Sequence, residues 1–279
     1  MKFSWWFEET LRVSRIMVMI AAVNERRGRT VEKKLKFGAH PQQFLVLHYP
    51  CEAAHQKKPI LFFLHGGGWG HGNPGVFRFI GRFFAEAGYP VILGGYRLAP
   101  RHKFPDQLED TYAGLKAGLQ LAASCGLRTD TIILAGQSAG AQLASLMLFD
   151  RRNLQGHGFT QGSFSGLLLV SGVLNFDHCR TLKDRIMLQN YLGRPVNWSR
   201  ADPIRFVHGD ETVPVLCIHG ERDMLIDNVN STSFITRLNG TGEIYLVPDA
   251  YHTDLTRMFL ENIPATEIML QWLQRVEVA

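Results

Sequence analysis

Residues 131–142 read TIILAGQSAGAQ, and the reading of Ser138 among them decides the fold. A G-x-S-x-G arises readily by chance in a chain with 27 glycines, so the motif counts only in context. Here the apolar run TIILA leads straight into the turn, and the helical run AQLASLMLF leaves it at once. Strand, sharp turn and helix in immediate succession are the setting of a nucleophile elbow. Gly136 and Gly140 flank the turn because so tight a reversal brings backbone against backbone, where a Cβ would collide. A serine at the start of the helix also lies near free N–H groups and the positive end of the helix dipole, which favours an anion developing there.

Outward from the elbow, short apolar runs alternate with helical patterns. Strands are expected at 44–49 (FLVLHY), 60–65 (ILFFLH), 91–96 (VILGGY), 131–136 (TIILAG), 166–171 (GLLLVS), 215–220 (VLCIHG) and 243–248 (EIYLVP). Helices are expected at 76–87, 107–123, 139–151, 227–239 and 254–276, with Pro264 dividing the last into two. Several runs are apolar throughout, as parallel strands are when helices cover both faces. The expected fold class is therefore α/β, a doubly wound and mostly parallel sheet. A length of 279 residues, 46% of them hydrophobic, with no internal repeat or low-complexity linker, fits a single domain over 1–279. One interval, 172–213, breaks the rhythm; it holds Pro195, Trp198, Pro203 and the helical stretch LKDRIMLQNYLG. So long a connection reads either as an active-site lid or as a surface excursion without a role.

Composition excludes several classes. The formal charge is +5, but the 30 Lys and Arg are spread along the chain except for ERRGRTVEKKLK at 25–36. That run has no interleaved aromatics and reads as a solvated face, so no nucleic-acid partner is expected. The four cysteines show no C-x-x-C spacing, their number permits three disulfide pairings, and Cys217 within VLCIH reads as a buried inert thiol. The eleven histidines contain no H-E-x-x-H, and neither a metal nor a cofactor is expected. The apolar N-terminal run 16–23 is far shorter than the ~20 residues of a membrane span. Glu8 and Glu9 precede it, where a signal peptide would carry basic residues, so a cytoplasmic protein without stable membrane insertion is expected. The segment either packs over the domain or lies on a membrane surface. The sequons at Asn197, Asn230 and Asn239 carry little weight without a secretion signal.

A serine hydroxyl attacks at neutral pH only when a base takes its proton and a third group orients that base. In open α/β sheets such groups gather at the carboxyl ends of strands. After EIYLVP comes DAYHTDL, which makes His252 the leading base; after VLCIHG comes ERDMLID, which makes Asp223 the leading acid. Glu221 is a rival acid. His208 and His219 offer other imidazoles, His219 reading as a satisfied core histidine and Asp227 as the cap of the next helix. The chain order is then Ser, Asp, His, as a fold with such an elbow leads one to expect. A second signature, HGGGW at 65–69, follows strand ILFFL. A phosphate-cradling loop would continue into a Lys or a helix, and this one does neither. Consecutive glycines instead let bare N–H groups approach a developing oxyanion, with Gly67 and Gly68 as donors and the Ala139 N–H as the third.

The ordered blocks HGGGW, YRLAPRHKFPDQLED, GQSAG, ERDMLID and YHTDL resemble the α/β-hydrolase esterases related to hormone-sensitive lipase, over about 44–255. The resemblance implies the α/β-hydrolase fold and a carboxylic-ester hydrolase with Ser138, Asp223 and His252 as triad. It also implies bracing roles for Arg97 and Asp110, and cap elements drawn from 1–40 and 172–213 that favour apolar groups on a small-molecule ester. Gln137 stands where many lipase-like members have Asp. GQSAGA with HTDL is more similar to the branch that includes prenylcysteine methylesterases, and HGG-x-W is shared with kynurenine formamidases. The alternatives are therefore a formamidase or small-amide hydrolase using the same triad, and a hydrolase fold that has lost catalysis and serves as a binding module. Oligomeric state is open.

Overall fold

Every apolar run read as a strand lies in one sheet, which gains an eighth, highly charged strand at its edge. A computed structural model of the chain describes residues 14–23, 30–52 and 58–277, the side chains of 196 and 197 excepted. The strands are β1 (Thr30–Lys36), β2 (Phe44–Pro50), β3 (Ile60–Leu64), β4 (Val91–Gly94), β5 (Ile132–Gln137), β6 (Phe164–Val170), β7 (Val215–Gly220) and β8 (Gly242–Val247). Their order is β1-β2-β4-β3-β5-β6-β7-β8. The β1/β2 and β2/β4 pairs are antiparallel and all others parallel. β1 takes up the second half of the run expected to be only a solvated face; residues 24–29 lie outside the described residues. It carries Lys33, Lys34 and Lys36 as an edge strand does, since charge discourages pairing with another chain.

Helix α1 covers the described residues 14–23, and the segment 1–13 expected to contribute to a cap lies outside them. There follow α2 (Arg78–Glu86), α3 (Asp106–Ser124), α4 (Ala139–Phe149), α5 (Arg151–Gly156), α6 (Leu182–Leu192), α7 (Val229–Arg237) and α8 (Pro264–Val276). The helix expected at 139–151 stops at Phe149, and Asp150 opens α5 by accepting the Asn153 N–H at 3.1 Å. Pro264 starts α8, and a 3₁₀ turn at Thr253–Phe259 takes the first half of the span it divides.

Alternation along the strands builds two cores. Phe62, Leu64, Ile132 and Leu134 face the core beneath α3, α4 and α7, whereas Leu61, Phe63, Ile133 and Ala135 face that beneath α2 and α8. The chain reverses direction across the sheet at β3: β4 lies on one side of it, and β5 and all later strands on the other. A crevice at the carboxyl ends of strands forms at such a switch point. The loops after β3 and β5, carrying HGGGW and Ser138, flank it. No helix among the described residues is long and apolar enough to cross a membrane.

Candidate active site

Ser138 adopts φ 53°, ψ −118°, a conformation that costs a non-glycine residue energy and that the packing around it must impose. Its N–H donates to Val170 O at 2.8 Å, tying the elbow to β6, and Ala139 begins α4 at the next position. A Cβ on Gly136 would strike the Gly140 carbonyl, and one on Gly140 would strike Leu64 O, so both glycines of the motif are sterically required. The second collision also shows how closely α4 sits against the end of β3.

The HGGGW loop turns beside the elbow. Gly67 has φ 118° and Gly68 φ 57°, and an added side chain at Gly66 would lie 3.3 Å from the Ser138 Cβ. His65 is fully buried between Tyr96, at 4.3 Å between ring centroids, and Phe77, at 5.5 Å. Burial holds its imidazole neutral, down to about 4, while Nδ1 lies 2.8 Å from Gly66 O. The Tyr96 hydroxyl donates to His65 O at 2.7 Å. Trp69 stacks flat on Tyr191 of α6 at 4.2 Å, and its Nε1–H donates to Gln142 Oε1 at 3.0 Å. Gln142 in turn donates to Ala201 O at 2.6 Å, so the loop, α4 and the 172–213 interval are fastened through one buried amide. Arg97 grips Asp110 through Nε at 2.7 Å and a terminal nitrogen at 2.9 Å, tying the loop after β4 to α3.

His252 and Asp223 meet as expected. His252 Nδ1 lies 2.7 Å from Asp223 Oδ2. Asp223 Oδ1 accepts the N–H groups of Leu225 at 2.9 Å and Ile226 at 2.8 Å. Burial alone would raise the Asp223 pKa, but the hydrogen bonds from His219 and His252, with their charge, outweigh it and hold the carboxyl well below the usual range. The rivals lie elsewhere: Glu221 is exposed and accepts the Asp249 N–H at 3.3 Å, and His208 is exposed. Asp227 accepts the Val229 N–H at 3.0 Å from one residue ahead of the cap position, Asn228. His219 is buried and satisfied, as read, yet its Nε2 also lies 3.1 Å from Asp223 Oδ2, a contact that its place inside a strand did not announce.

Ser138, His252, Gly67 and Gly68 line one cavity of about 420 Å³, with Asp223 behind His252. Its other walls are largely apolar: Ile16 and Ile20 of α1, Phe77, Met187 of α6, Leu225 and Ile226. Gln137 also faces it, its Nε2 donating to Thr256 Oγ1 at 3.4 Å beyond His252. All four cysteines are free; burial pushes the Cys217 thiol up to about 12, which leaves it unreactive. Asn230 is buried, its Oδ1 accepting the N–H groups of Leu174 and Asn175, so that sequon is closed in the folded chain.

The model of the BD-FAE family matches residues 46–238. Among curated proteins, the chain is 26% identical to "Esterase LipC" of Mycobacterium tuberculosis over 221 residues, 74% of this chain and 54% of that protein. It is 28% identical to "Probable isoprenylcysteine alpha-carbonyl methylesterase ICMEL1" of Oryza sativa subsp. japonica, over 80% of this chain and 57% of the relative. The chain thus spans a little over half the length of these relatives. Among solved structures, esterase B from Lactobacillus rhamnosis superposes with a TM-score of 0.78 at 22% identity, covering 99% of this chain and 95% of that one. A bacterial heroin esterase superposes with a TM-score of 0.74 at 21% identity, covering 96% and 92%. The fold is the α/β-hydrolase fold.

Proposed function

The chain belongs to the BD-FAE family, and from that membership and the geometry of the cavity we propose that it is a serine hydrolase of carboxylic esters working through an acyl-enzyme. The observation that carries the reading is the 2.7 Å bond from His252 to Asp223 beside a cavity that Ser138 and the glycine loop share.

In the first half-reaction Ser138 Oγ bonds to the ester carbonyl carbon while His252 Nε2 takes the hydroxyl proton. Asp223 accepts from Nδ1 throughout, fixing the tautomer and stabilising the imidazolium. The carbonyl oxygen becomes an oxyanion held by the N–H groups of Gly67, Gly68 and Ala139, where one preorganised donor is worth ~100-fold or more in rate. Collapse breaks the bond to the alkoxy oxygen, which leaves as the alcohol with the proton from His252. Water, deprotonated by the same imidazole, then attacks the acyl-enzyme, releases the acid and restores Ser138. An amide would follow the same route, and an arylacetamide deacetylase of Bos taurus matches over 36% of this chain, but the two relatives that match over 74% and 80% of it and the two solved structures above are named for ester cleavage, which favours the ester.

The chain acts as one domain, with α1 and α6 as a small cap. Ile16 and Ile20 from one and Met187 from the other wall the cavity, and a Cβ on Gly68 would stand 3.0 Å from the Met187 sulfur. A largely apolar cavity of this volume suits an apolar acyl or alcohol group of small-molecule size. The test is turnover of aryl esters from acetyl to decanoyl, with a formylated aryl amine alongside. Ester turnover should exceed amide turnover and vanish in Ser138→Ala with the fold retained; full activity in that variant would overturn the assignment.

A further inference from the structure

The carboxylate of Asp223 is held by more than the base it serves. Oδ1 takes two backbone N–H groups, from Leu225 and Ile226. Oδ2 faces two imidazoles, His252 Nδ1 at 2.7 Å and His219 Nε2 at 3.1 Å. His219 projects from β7, is wholly buried, and has its other nitrogen, Nδ1, 2.8 Å from the Ser231 hydroxyl on α7. Its Nε2 also lies 2.9 Å from Ile226 O. A carboxylate and a carbonyl can only accept, so Nε2 carries a hydrogen; its hydrogen bond runs to Ile226 O, and Asp223 Oδ2 lies beside that bond at 3.1 Å. Ser231 and Ile226 thus hold from two ends an imidazole whose Nε2–H lies beside the Asp223 carboxylate.

Building on the triad proposed above, we propose that His219 is a positioning residue: its Nε2–H, bonded to Ile226 O, stands 3.1 Å from Asp223 Oδ2 and so fixes both the orientation of the carboxylate and its strength as an acceptor from His252. Three hydrogen bonds to its two oxygens, with the His219 N–H close beside Oδ2, leave the carboxylate no other rotamer of equal energy. The groups that face His219 are Asp223 and the Ile226 carbonyl of the acid loop and Ser231 of α7, with His252 across the shared carboxylate oxygen.

Two isosteric variants separate these roles. The amide nitrogen of glutamine stands about where Nε2 stands, and that of asparagine about where Nδ1 stands, so His219→Gln keeps a donor to Asp223 and His219→Asn keeps only the group near Ser231. The direct readout is the downfield proton NMR resonance of His252 Nδ1–H, assigned by its loss in His252→Ala. In His219→Asn it should move further downfield, because Oδ2 relieved of its second donor accepts more strongly from His252. In the same variant kcat should fall roughly 10-fold with KM little changed, the order expected for one lost buried hydrogen bond. His219→Gln should restore both. Ser231→Ala, which leaves both imidazoles in place, should move the resonance the same way by less. An unchanged resonance in folded His219→Asn or folded Ser231→Ala, or a glutamine variant as impaired as the asparagine one, would overturn the proposal. The resonance reports on the Asp223–His252 pair whether or not turnover is seen, whereas Ser138-dependent turnover of the parent checks the triad separately.

Discussion

Ser138 pays for its position with backbone strain, since φ 53° with ψ −118° suits glycine and little else. Ser138→Gly should therefore be inactive yet more stable than the parent by about 1 kcal/mol, read from denaturant unfolding; equal or lower stability would show that the turn is unstrained. Ser138, Asp223 and His252, the proposed nucleophile, acid and base, were legible in the sequence because each follows an apolar strand at a position where this fold exposes loop residues. His219 was legible only in part. Four residues before Asp223 and still inside β7, it reads as core, and its contact arises because the acid loop curls back over the strand end, which no local pattern encodes. Gln142 was likewise unread: it lies on a helix buried along its whole length, and only the fold brings Trp69 and Ala201 to its amide.

At the scale of elements, the parallel strands were readable because continuous apolar runs admit few other placements, whereas β1 was not. TVEKKLK has the charge that an edge strand needs and a loop also has, and only its antiparallel pairing with β2 distinguishes them. The position of α6 was hidden for a related reason. Its Leu188, Tyr191 and Leu192 are buried while Leu182 and Ile186 are exposed, so its outward face is not marked by polarity. With α1 and α6 walling the cavity, side-chain volume on α1 should set acyl-chain preference. Ile16→Trp should lower kcat/KM for a decanoyl aryl ester about tenfold and leave the acetyl ester nearly unchanged. Equal losses on both esters would place Ile16 outside the acyl path.

For the whole molecule, burial sets how stability responds to acid. His48 and His65 are both buried and both lowered to about 4, chiefly by desolvation. Each favours the folded state while neutral, and each loses up to about 3 kcal/mol as pH falls from 6.5 to 4, because the unfolded chain takes up the proton first. Asp202 opposes them: burial raises it to about 6, so the folded state binds its proton more firmly and gains a similar amount as pH falls from 6 to 3.8. Asp223, held low, gives stability above the usual carboxylate range that is lost only in stronger acid. Two losses against one gain leave a net fall of about 3 kcal/mol between pH 7 and 4. Urea unfolding at intervals over that range checks it, and a flat or rising profile would show that these imidazoles titrate as if exposed.

Ser138 is proposed as the nucleophile and His252 as the base that activates it, with both acting at one cavity. Covalent capture tests it most directly: the protein is incubated with an alkyl fluorophosphonate, digested, and its peptides weighed by mass spectrometry. One phosphonyl adduct is expected, on the peptide carrying Ser138, absent in Ser138→Ala and formed orders of magnitude more slowly in His252→Ala. Turnover of an ester by a protein whose adduct forms on another residue, or whose Ser138 is labelled at the same rate without His252, would contradict it.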